Sequence, residues 1–331
     1  MYKKLQVPRL LSTVAAISLA FSATVALGQT KYPDRPVRLV VPFAPGGVND
    51  IIGRRYAHEM TRILGQTMIV DNRGGASGAI GSVEAARAKP DGYTLMIANS
   101  TTHVINQIAV SKLPYDALKD FAPIAIITVV PTAVAVHPSL PVKNLKQLVA
   151  LAKANPGKLS YGSAGAGSIT NLTGELFKAL GGKLDIVHIP YKGAGPGLTD
   201  LVAGHIPMYT PTISPAPLSY HKEGRIRMLA VFSEKRLQAA SDIPTAIEAG
   251  MPGMVVYSFN GIFATAGTPR PIVDQLHQAT LKVMADSDMQ EFLRKAGADP
   301  VLDSSPERTT QFLQKEIARW TPIINNAGLR Q

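Results

Sequence analysis

Cysteine is absent from the 331 residues of this chain. Without a thiol, the protein can form no disulfide, no thiolate metal site and no cysteine nucleophile, and it has no cysteine for lipid attachment after export. Charged residues are few, at 17%, whereas hydrophobic residues make up 46%. This balance is typical of a packed globular protein, and the length suffices for two domains of about 150 residues each.

Several catalytic motifs are missing as well. The seven histidines show no metal-ligand spacing. Ser163 has Tyr161 two positions before it, so the Gly-x-Ser-x-Gly nucleophile elbow fails. The run 165–170 lacks the last glycine of a dinucleotide-binding fingerprint, and the glycine-rich phosphate loop with Lys-Ser/Thr is absent. We therefore predict a protein that is not an enzyme and has no metal or cofactor.

Negative charge is scarce, and the formal net charge is +11. Three of the positive charges, Lys3, Lys4 and Arg9, precede a run of apolar and small residues at 10–27. A membrane anchor is the alternative interpretation, but it needs about 20 strongly apolar residues, and serine and threonine dilute this run. The pattern favours a cleavable export signal over residues 1–28, and we expect a soluble periplasmic protein.

The mature chain remains basic, because removal of the three signal charges leaves a net charge of +8. Its lysines and arginines are scattered, without a dense run or a basic stripe with interleaved aromatics. We therefore expect no nucleic-acid partner. The positive balance mildly favours anionic ligands.

Short strands alternate with helices along the chain. The first unit is a β-branched strand at 35–43, a Pro/Gly turn at 45–47 and a helix at 50–64 with apolar residues at helical spacing. Repetition of this pattern predicts an α/β protein whose sheets are mainly parallel and flanked by helices.

Two apolar segments predict passages between two lobes. One is residues 122–136, and the other is residues 255–264. Two such crossings would form a hinge of paired strands, which permits clamp-like closure. The predicted domains are lobe 1 at 29–131 plus 253–331 and lobe 2 at 132–252.

The most informative features are two similar glycine-rich loops, at 42–50 and 161–168. Each follows a predicted strand and opens a predicted helix. A helix N-terminus presents backbone N–H groups and a partial positive charge, and glycine lets a ligand approach the backbone. One such loop alone is often only a turn. Two loops in corresponding places predict a cleft that binds a carboxylate from both lobes.

A set of further motifs accompanies these loops. They are Pro45-Gly46-Gly47 with Asp50, Asp71-Asn72-Arg73, Ala88-Lys89-Pro90-Asp91-Gly92-Tyr93, Tyr161-Gly162-Ser163 through Ser168, Gly174-Glu175-Leu176-Phe177, Pro190-Tyr191-Lys192-Gly193 and Ala266-Gly267-Thr268-Pro269. With them, nearly the whole mature chain resembles the periplasmic solute-binding proteins of tripartite tricarboxylate transporters, the Bordetella uptake gene (Bug) or TctC-like family.

The resemblance implies a Venus-flytrap fold of the type II-like periplasmic binding proteins. It also implies that a monomer captures a di- or tricarboxylate, an amino acid or an aromatic acid for the membrane components of a tripartite tricarboxylate transporter. The predicted ligand-binding residues are Phe43, Ala44, Gly46, Gly47, Asp50, Asn99, Ser100, Ser163, Ala164, Gly165, Gly167, Ser168, Tyr191 and Thr210.

Some positions depart from the family pattern or stay ambiguous. Asn171 replaces a usual histidine, and the strand at 206–210 is atypical, so the ligand class is open. Asp50 could cap its own helix, bind water, or receive an amine or hydroxyl group of the ligand. Two other functions also stay open: a periplasmic ligand-sensing partner of a signalling receptor, and a hydrolase of carboxylate esters.

Overall fold

Two mixed β-sheets, each flanked by helices, make up the protein in the computed structural model. The structure describes residue 2, residues 32–326 and residue 330, so the predicted signal peptide lies outside the described residues except for Tyr2. The strands are β1 (Val37–Val41), β2 (Met68–Asn72), β3 (Thr94–Asn99), β4 (Phe121–Pro131), β5 (Ala133–Val136), β6 (Leu159–Ser163), β7 (Ile186–Pro190), β8 (Met208–Tyr209), β9 (Arg227–Val231), β10 (Tyr257–Thr265) and β11 (Asp299–Pro300).

Helices connect and cover these strands. They are α1 (Val48–Leu64), α2 (Ala79–Ala86), α3 (Asn106–Ala109), α4 (Leu145–Ala154), α5 (Ile169–Leu180), α6 (Ala194–Ala203), α7 (Pro215–Lys222), α8 (Arg270–Ala285), α9 (Ser287–Lys295) and α10 (Pro306–Asn326). A 3-10 turn, Ala76–Gly78, precedes α2, and a π-helical turn, Thr101–Ile105, precedes α3. Within residues 32–326, no helix combines the length and the apolarity that a membrane span requires.

The first unit shows how the sequence pattern leads to these elements. Strand β1 is buried except at Arg38. In α1, Ile52, Tyr56 and Met60 recur every four residues and are fully buried, as expected for the core-facing side of a helix. Gly65 ends the helix in the left-handed conformation, at φ +69°, and its N–H donates to the Thr61 carbonyl.

Both sheets are mixed, and most strands in each run in one direction. The six-stranded sheet of the first lobe has the order β11-β4-β10-β3-β1-β2, and the five-stranded sheet of the second lobe has the order β7-β6-β8-β5-β9. Strand β1 pairs in parallel with β2 and β3, and β6 pairs in parallel with β7 and β8. Strands β10, β4 and β11, and strands β5 and β9, add antiparallel pairs. Helical crossovers give parallel neighbours, whereas β10 and β11 run opposite to the other strands of the first sheet, and β5 runs opposite to the other strands of the second.

Two chain segments cross side by side between the sheets. Strand β4 continues into β5 through Thr132 alone, whose N–H donates to the Val256 carbonyl at 3.0 Å. The Phe232 N–H donates to the Thr132 carbonyl at 2.8 Å, and Tyr257, which follows Val256, pairs with Pro131. The chain therefore crosses in both apolar segments that the sequence indicated. The exact lobe boundaries stay a prediction.

Candidate functional site

The first glycine loop joins β1 to α1 and is organised by Asp50. The Gly46 N–H donates to Asp50 Oδ2 at 3.0 Å. Asp50 Oδ1 accepts a hydrogen bond from the Asn72 amide at 3.0 Å and lies 2.9 Å from the Arg54 guanidinium. The Asn72 amide also donates to the Phe43 carbonyl. Both oxygens of Asp50 are thus bound to protein groups, in the loop at Gly46, in α1 at Arg54 and on β2 at Asn72.

These partners also determine the charge of Asp50. Burial acts to raise the pKa of its carboxyl group, but the hydrogen bonds from Arg54, Gly46 and Asn72 outweigh burial and hold the pKa below its ordinary value. The side chain therefore stays ionised at neutral pH, with its charge compensated locally. Among the roles left open by the sequence, this geometry favours a structural one.

Helix α1 begins at the end of this loop without a side-chain cap. Its N-cap is Gly47, at φ −82°, and the first-turn residues Val48 and Asn49 are buried. The first backbone N–H groups of a helix have no partner within the helix, and the helix dipole adds positive potential there. This N-terminus therefore offers uncapped donors to a small cavity between the lobes.

The second glycine loop, by contrast, satisfies most of its donors itself. Ser168 caps α5 by accepting from the Asn171 N–H at 3.1 Å. Asn171 Oδ1 accepts from the Gly167 N–H at 2.9 Å, and Thr170 Oγ1 accepts from the Ala164 N–H at 2.9 Å. Asn171 therefore fixes the backbone of this loop.

Buried Ser163 and half-buried His188 form a pair beneath the same loop. Ser163 Oγ lies 2.7 Å from His188 Nε2, donates to the Gly165 carbonyl at 3.0 Å and accepts from the Gly165 N–H at 3.2 Å. Ser163 is 0% exposed and does not line the cavity. Burial lowers the pKa of His188, so its ring is neutral at pH 7. Through its two hydrogen bonds to Gly165, Ser163 holds the backbone of the loop in place.

The two lobes are in contact across the cleft. The Ile169 N–H, at the start of α5, donates to Thr101 Oγ1 of the first lobe at 3.0 Å. Ser77 of the first lobe donates a hydrogen bond to the Ala166 carbonyl of the second. A Cβ added at Gly195 would lie 2.7 Å from the Pro45 carbonyl oxygen, so glycine is required there. The structure is therefore a closed form.

Closure leaves an inner cavity of about 30 Å³ between the uncapped end of α1 and the start of α5. This space is enough for about one water molecule. Its polar side chains are all neutral amides or hydroxyls. The residues that line it are Phe43, Gly47, Val48, Asn49, Asn99, Thr101, Ala164, Ile169, Thr170, Ala194 and Thr212.

Four predicted site residues, Phe43, Gly47, Asn99 and Ala164, line this cavity. The side chains of three others bond elsewhere. Ser100 Oγ accepts from the Phe259 N–H at 3.1 Å, Thr210 Oγ1 donates to the Thr170 carbonyl at 2.7 Å, and the Tyr191 hydroxyl donates to Asp200 at 2.7 Å. The remaining predicted residues shape the two loops around the cavity: Ala44, Gly46, Asp50, Ser163, Gly165, Gly167 and Ser168.

Sequence reasoning missed several cavity residues. Thr101 and Thr212 line the cavity and are not among the predicted residues. Asn49 is held by Asn99, whose amide donates to Asn49 Oδ1 at 2.9 Å. The position of Asn49 directly before the predicted helix at 50–64 was a usable signal. The others, Val48, Ile169, Thr170 and Ala194, adjoin loop residues and carried no separate signal.

Comparison with known proteins places this geometry in context. The model of the tripartite tricarboxylate transporter family receptor matches residues 52–329. The chain is 31% identical to protein BugT of Bordetella pertussis, over 97% of this chain and 98% of that protein. Among solved structures, Rpa4515 of R. palustris with adipate has a TM-score of 0.85 and 36% identity over 90% of this chain and 98% of that one. MatC (Rpa3494) of Rhodopseudomonas palustris with bound malate has a TM-score of 0.84 and 33% identity over 88% and 100% of the two chains.

Proposed function

This chain belongs to the tripartite tricarboxylate transporter receptor family, and from that premise we propose that it captures a small organic acid between its lobes. In this proposal, the protein is exported, loses residues 1–28, and works in the periplasm as a monomer. It delivers the acid to the membrane components of a tripartite tricarboxylate transporter. The family and fold are those of substrate-binding proteins, and we propose no catalytic step.

The observation that carries the proposal is the uncapped N-terminus of α1, which opens onto the inner cavity. Asn49, Asn99 and Thr101 add neutral donors and acceptors there, and the cavity-lining side chains include no carboxylate. Asp50, which follows Asn49, is ion-paired with Arg54 and accepts a hydrogen bond from the Gly46 N–H. Backbone N–H groups at a helix end bind carboxylates, and two relatives of known structure are described with adipate and malate.

Binding in this site requires the lobes to separate further than they do here, because about 30 Å³ is too small for an organic acid. The paired crossing strands provide the hinge for this motion. In the proposed complex, the carboxylate lies against the N–H groups of Gly47, Val48 and Asn49. On closure, the hydroxyl groups of Thr101 in the first lobe and Thr170 in the second lie on either side of the ligand.

A thermal-shift screen tests the proposal. The purified protein is heated with malate, adipate, citrate, acidic amino acids, benzoate and nicotinate, and with the amide or methyl ester of each acid. A ligand at 100 times its Kd adds about 2.7 kcal/mol of stability. We expect one class of acid to raise the Tm while its amides and esters do not. If no acid raises the Tm, and mass spectrometry of the denatured protein finds no co-purified acid, the proposal fails.

Thr101→Val tests the closure contact. The substitution leaves the Ile169 N–H without its partner in the closed form, and an unsatisfied buried N–H costs about 1–3 kcal/mol. We expect the variant to bind the acid identified in the screen about 10-fold more weakly. In small-angle scattering, its radius of gyration should exceed that of the wild type at subsaturating ligand.

The matched control for this test is Thr321→Val, because the Thr321 hydroxyl bonds only to the Ile317 carbonyl of its own helix among the described residues. It should bind like the wild type. Equal affinity and equal compaction in both variants would show that Thr101 has no part in closure.

A further inference from the structure

The second glycine loop also borders a much larger space between the lobes. Ala164 lines the inner cavity, whereas the next two residues, Gly165 and Ala166, line a groove of about 700 Å³. The first lobe contributes Ala76, Ser77, Ala79, Ile80, Val83, Val110, Leu113 and Pro114, and the second also contributes residues 190–192. This volume is in the range of pockets that bind organic molecules, and both lobes form its walls.

The groove has apolar walls and one charged side chain. Ile80, Val83 and Leu113 line one side, and Ile80 is 54% exposed, although it lies on a helix that packs against the core. None of the groove-lining residues is acidic. The Tyr191 hydroxyl donates to Asp200, and burial together with this bond raises the pKa of Tyr191 to about 12, so its ring stays uncharged. Lys192 is exposed and enters none of the salt bridges of the described residues.

The floor of the groove contains backbone strain. Ala76 and Ser77 adopt positive φ angles, +46° and +50°, between two glycines that do the same. Residues other than glycine rarely adopt this conformation, and such strain clusters at ligand clamps. Ser77 also donates to the Ala166 carbonyl across the lobes. The hydrogen bond from Ser77 in this strained turn therefore joins the two lobes at the groove in the closed form.

We propose that this groove is a second ligand site, which takes an organic acid with an apolar body, either aromatic or medium-chain aliphatic. The body lies against Ile80, Val83 and Leu113, and the carboxylate lies at Lys192. Because the ligand would contact both lobes, it favours the closed form. The site uses other residues than the inner cavity, so either proposal can fail while the other stands.

Isothermal titration with phenylacetate tests the groove, with malate titrated in parallel. We expect the wild type to bind phenylacetate. It should bind phenylacetamide about fivefold more weakly, because an exposed ion pair adds little to the affinity. It should not bind acetate, because acetate has no apolar body. Ile80→Gln should weaken phenylacetate binding about 3- to 10-fold through lost apolar contact. Lys192→Gln should reduce phenylacetate binding to the level of phenylacetamide. Malate binding should not change in either variant.

Matched controls are Ile63→Gln and Lys158→Gln, since both residues are exposed and lie outside the groove. Both should bind phenylacetate like the wild type. The inference is overturned if the wild type binds neither phenylacetate nor octanoate, or if Ile80→Gln binds phenylacetate unchanged. In those cases, continued binding of a small acid such as malate would leave the inner-cavity proposal intact. If Ile80→Gln weakens phenylacetate binding and the wild type binds no small acid, the groove proposal stands and the inner-cavity proposal fails.

Discussion

Gly47→Asp is expected to abolish binding of the small acid while leaving the protein at least as stable as the wild type. Gly47 is the N-cap of α1, at φ −82°, which any residue adopts. An added Cβ would lie 3.6 Å from Ala194 Cβ and 3.9 Å from the Ala44 carbonyl oxygen, which is ordinary contact. Aspartate is a favoured N-cap whose side chain accepts from first-turn N–H groups, contributing about 0.5–2 kcal/mol to stability.

The same carboxylate would occupy the donors proposed for the ligand and would repel the ligand's charge. At about 4 Å and an effective dielectric constant of 20, like charges cost about 4 kcal/mol, which corresponds to an affinity loss of nearly 1000-fold. The measurements are isothermal titration with the acid identified in the screen, and urea unfolding. Loss of binding together with a raised midpoint would place the anion at α1.

Gly47→Ala is the matched control, because it adds the Cβ without a competing acceptor. It should bind within a few-fold of the wild type. Gly46 and Gly165 are poorer positions, since both have positive φ angles, and a Cβ at Gly165 would lie 2.7 Å from Ser77 Oγ of the other lobe. If Gly47→Asp binds the acid as tightly as Gly47→Ala does, the carboxylate does not lie at this helix end.

The two-lobed α/β fold and its two crossings could be predicted because their signals are local. A buried β-branched strand, a glycine turn and a helix with four-residue apolar spacing identify β1 and α1 from sequence. Strand direction is not local. Strands β4 and β10 pair antiparallel along residues 121–131 and 257–265, and no pattern within either segment encodes its partner. The alternation of strands and helices predicted the parallel pairs of β1 and β6, but it did not indicate the antiparallel pairs of β10 and β5.

The candidate site was predicted at the level of loops rather than of side chains. Glycine content located both loops, but it could not show that one helix end is uncapped while the other is capped by Ser168 and by Thr101 of the opposite lobe. Thr101 lies 68 residues from Ile169 in sequence, so their hydrogen bond depends on how the lobes close. Asp50 shows the same limit, since its role depends on Arg54 and on Asn72 of the next strand.

His103→Leu is expected to lose less stability than the wild type when the pH falls from 7 to 5. His103 is 0% exposed and lies against Phe121 and Phe263, with ring centroids 4.6 and 4.3 Å away. Its Nδ1 lies 3.2 Å from Thr102 Oγ1, and its Nε2 has no hydrogen-bond partner among the described residues. Burial lowers the pKa of His103 from 6.5 to about 3, so the folded protein keeps the ring neutral.

The sign of the effect follows from proton linkage. Above pH 6.5, His103 is neutral in both states and contributes no pH dependence. Between pH 6.5 and 3, the unfolded chain binds a proton at this histidine and the folded protein does not, so stability falls as the pH falls. One pH unit corresponds to about 1.4 kcal/mol. Between pH 7 and 5, the free energy of unfolding of the wild type should therefore fall by about 2 kcal/mol more than that of His103→Leu.

Urea unfolding of the two proteins at pH 7, 6 and 5 measures this difference, and leucine is a suitable replacement because it fills an apolar site without a titratable group. His58→Leu is the control, because it removes a histidine that is exposed rather than buried. That variant should follow the pH profile of the wild type. If the profiles of His103→Leu and the wild type are parallel instead, the ring between Phe121 and Phe263 takes up a proton in the folded protein, and water reaches this part of the first lobe.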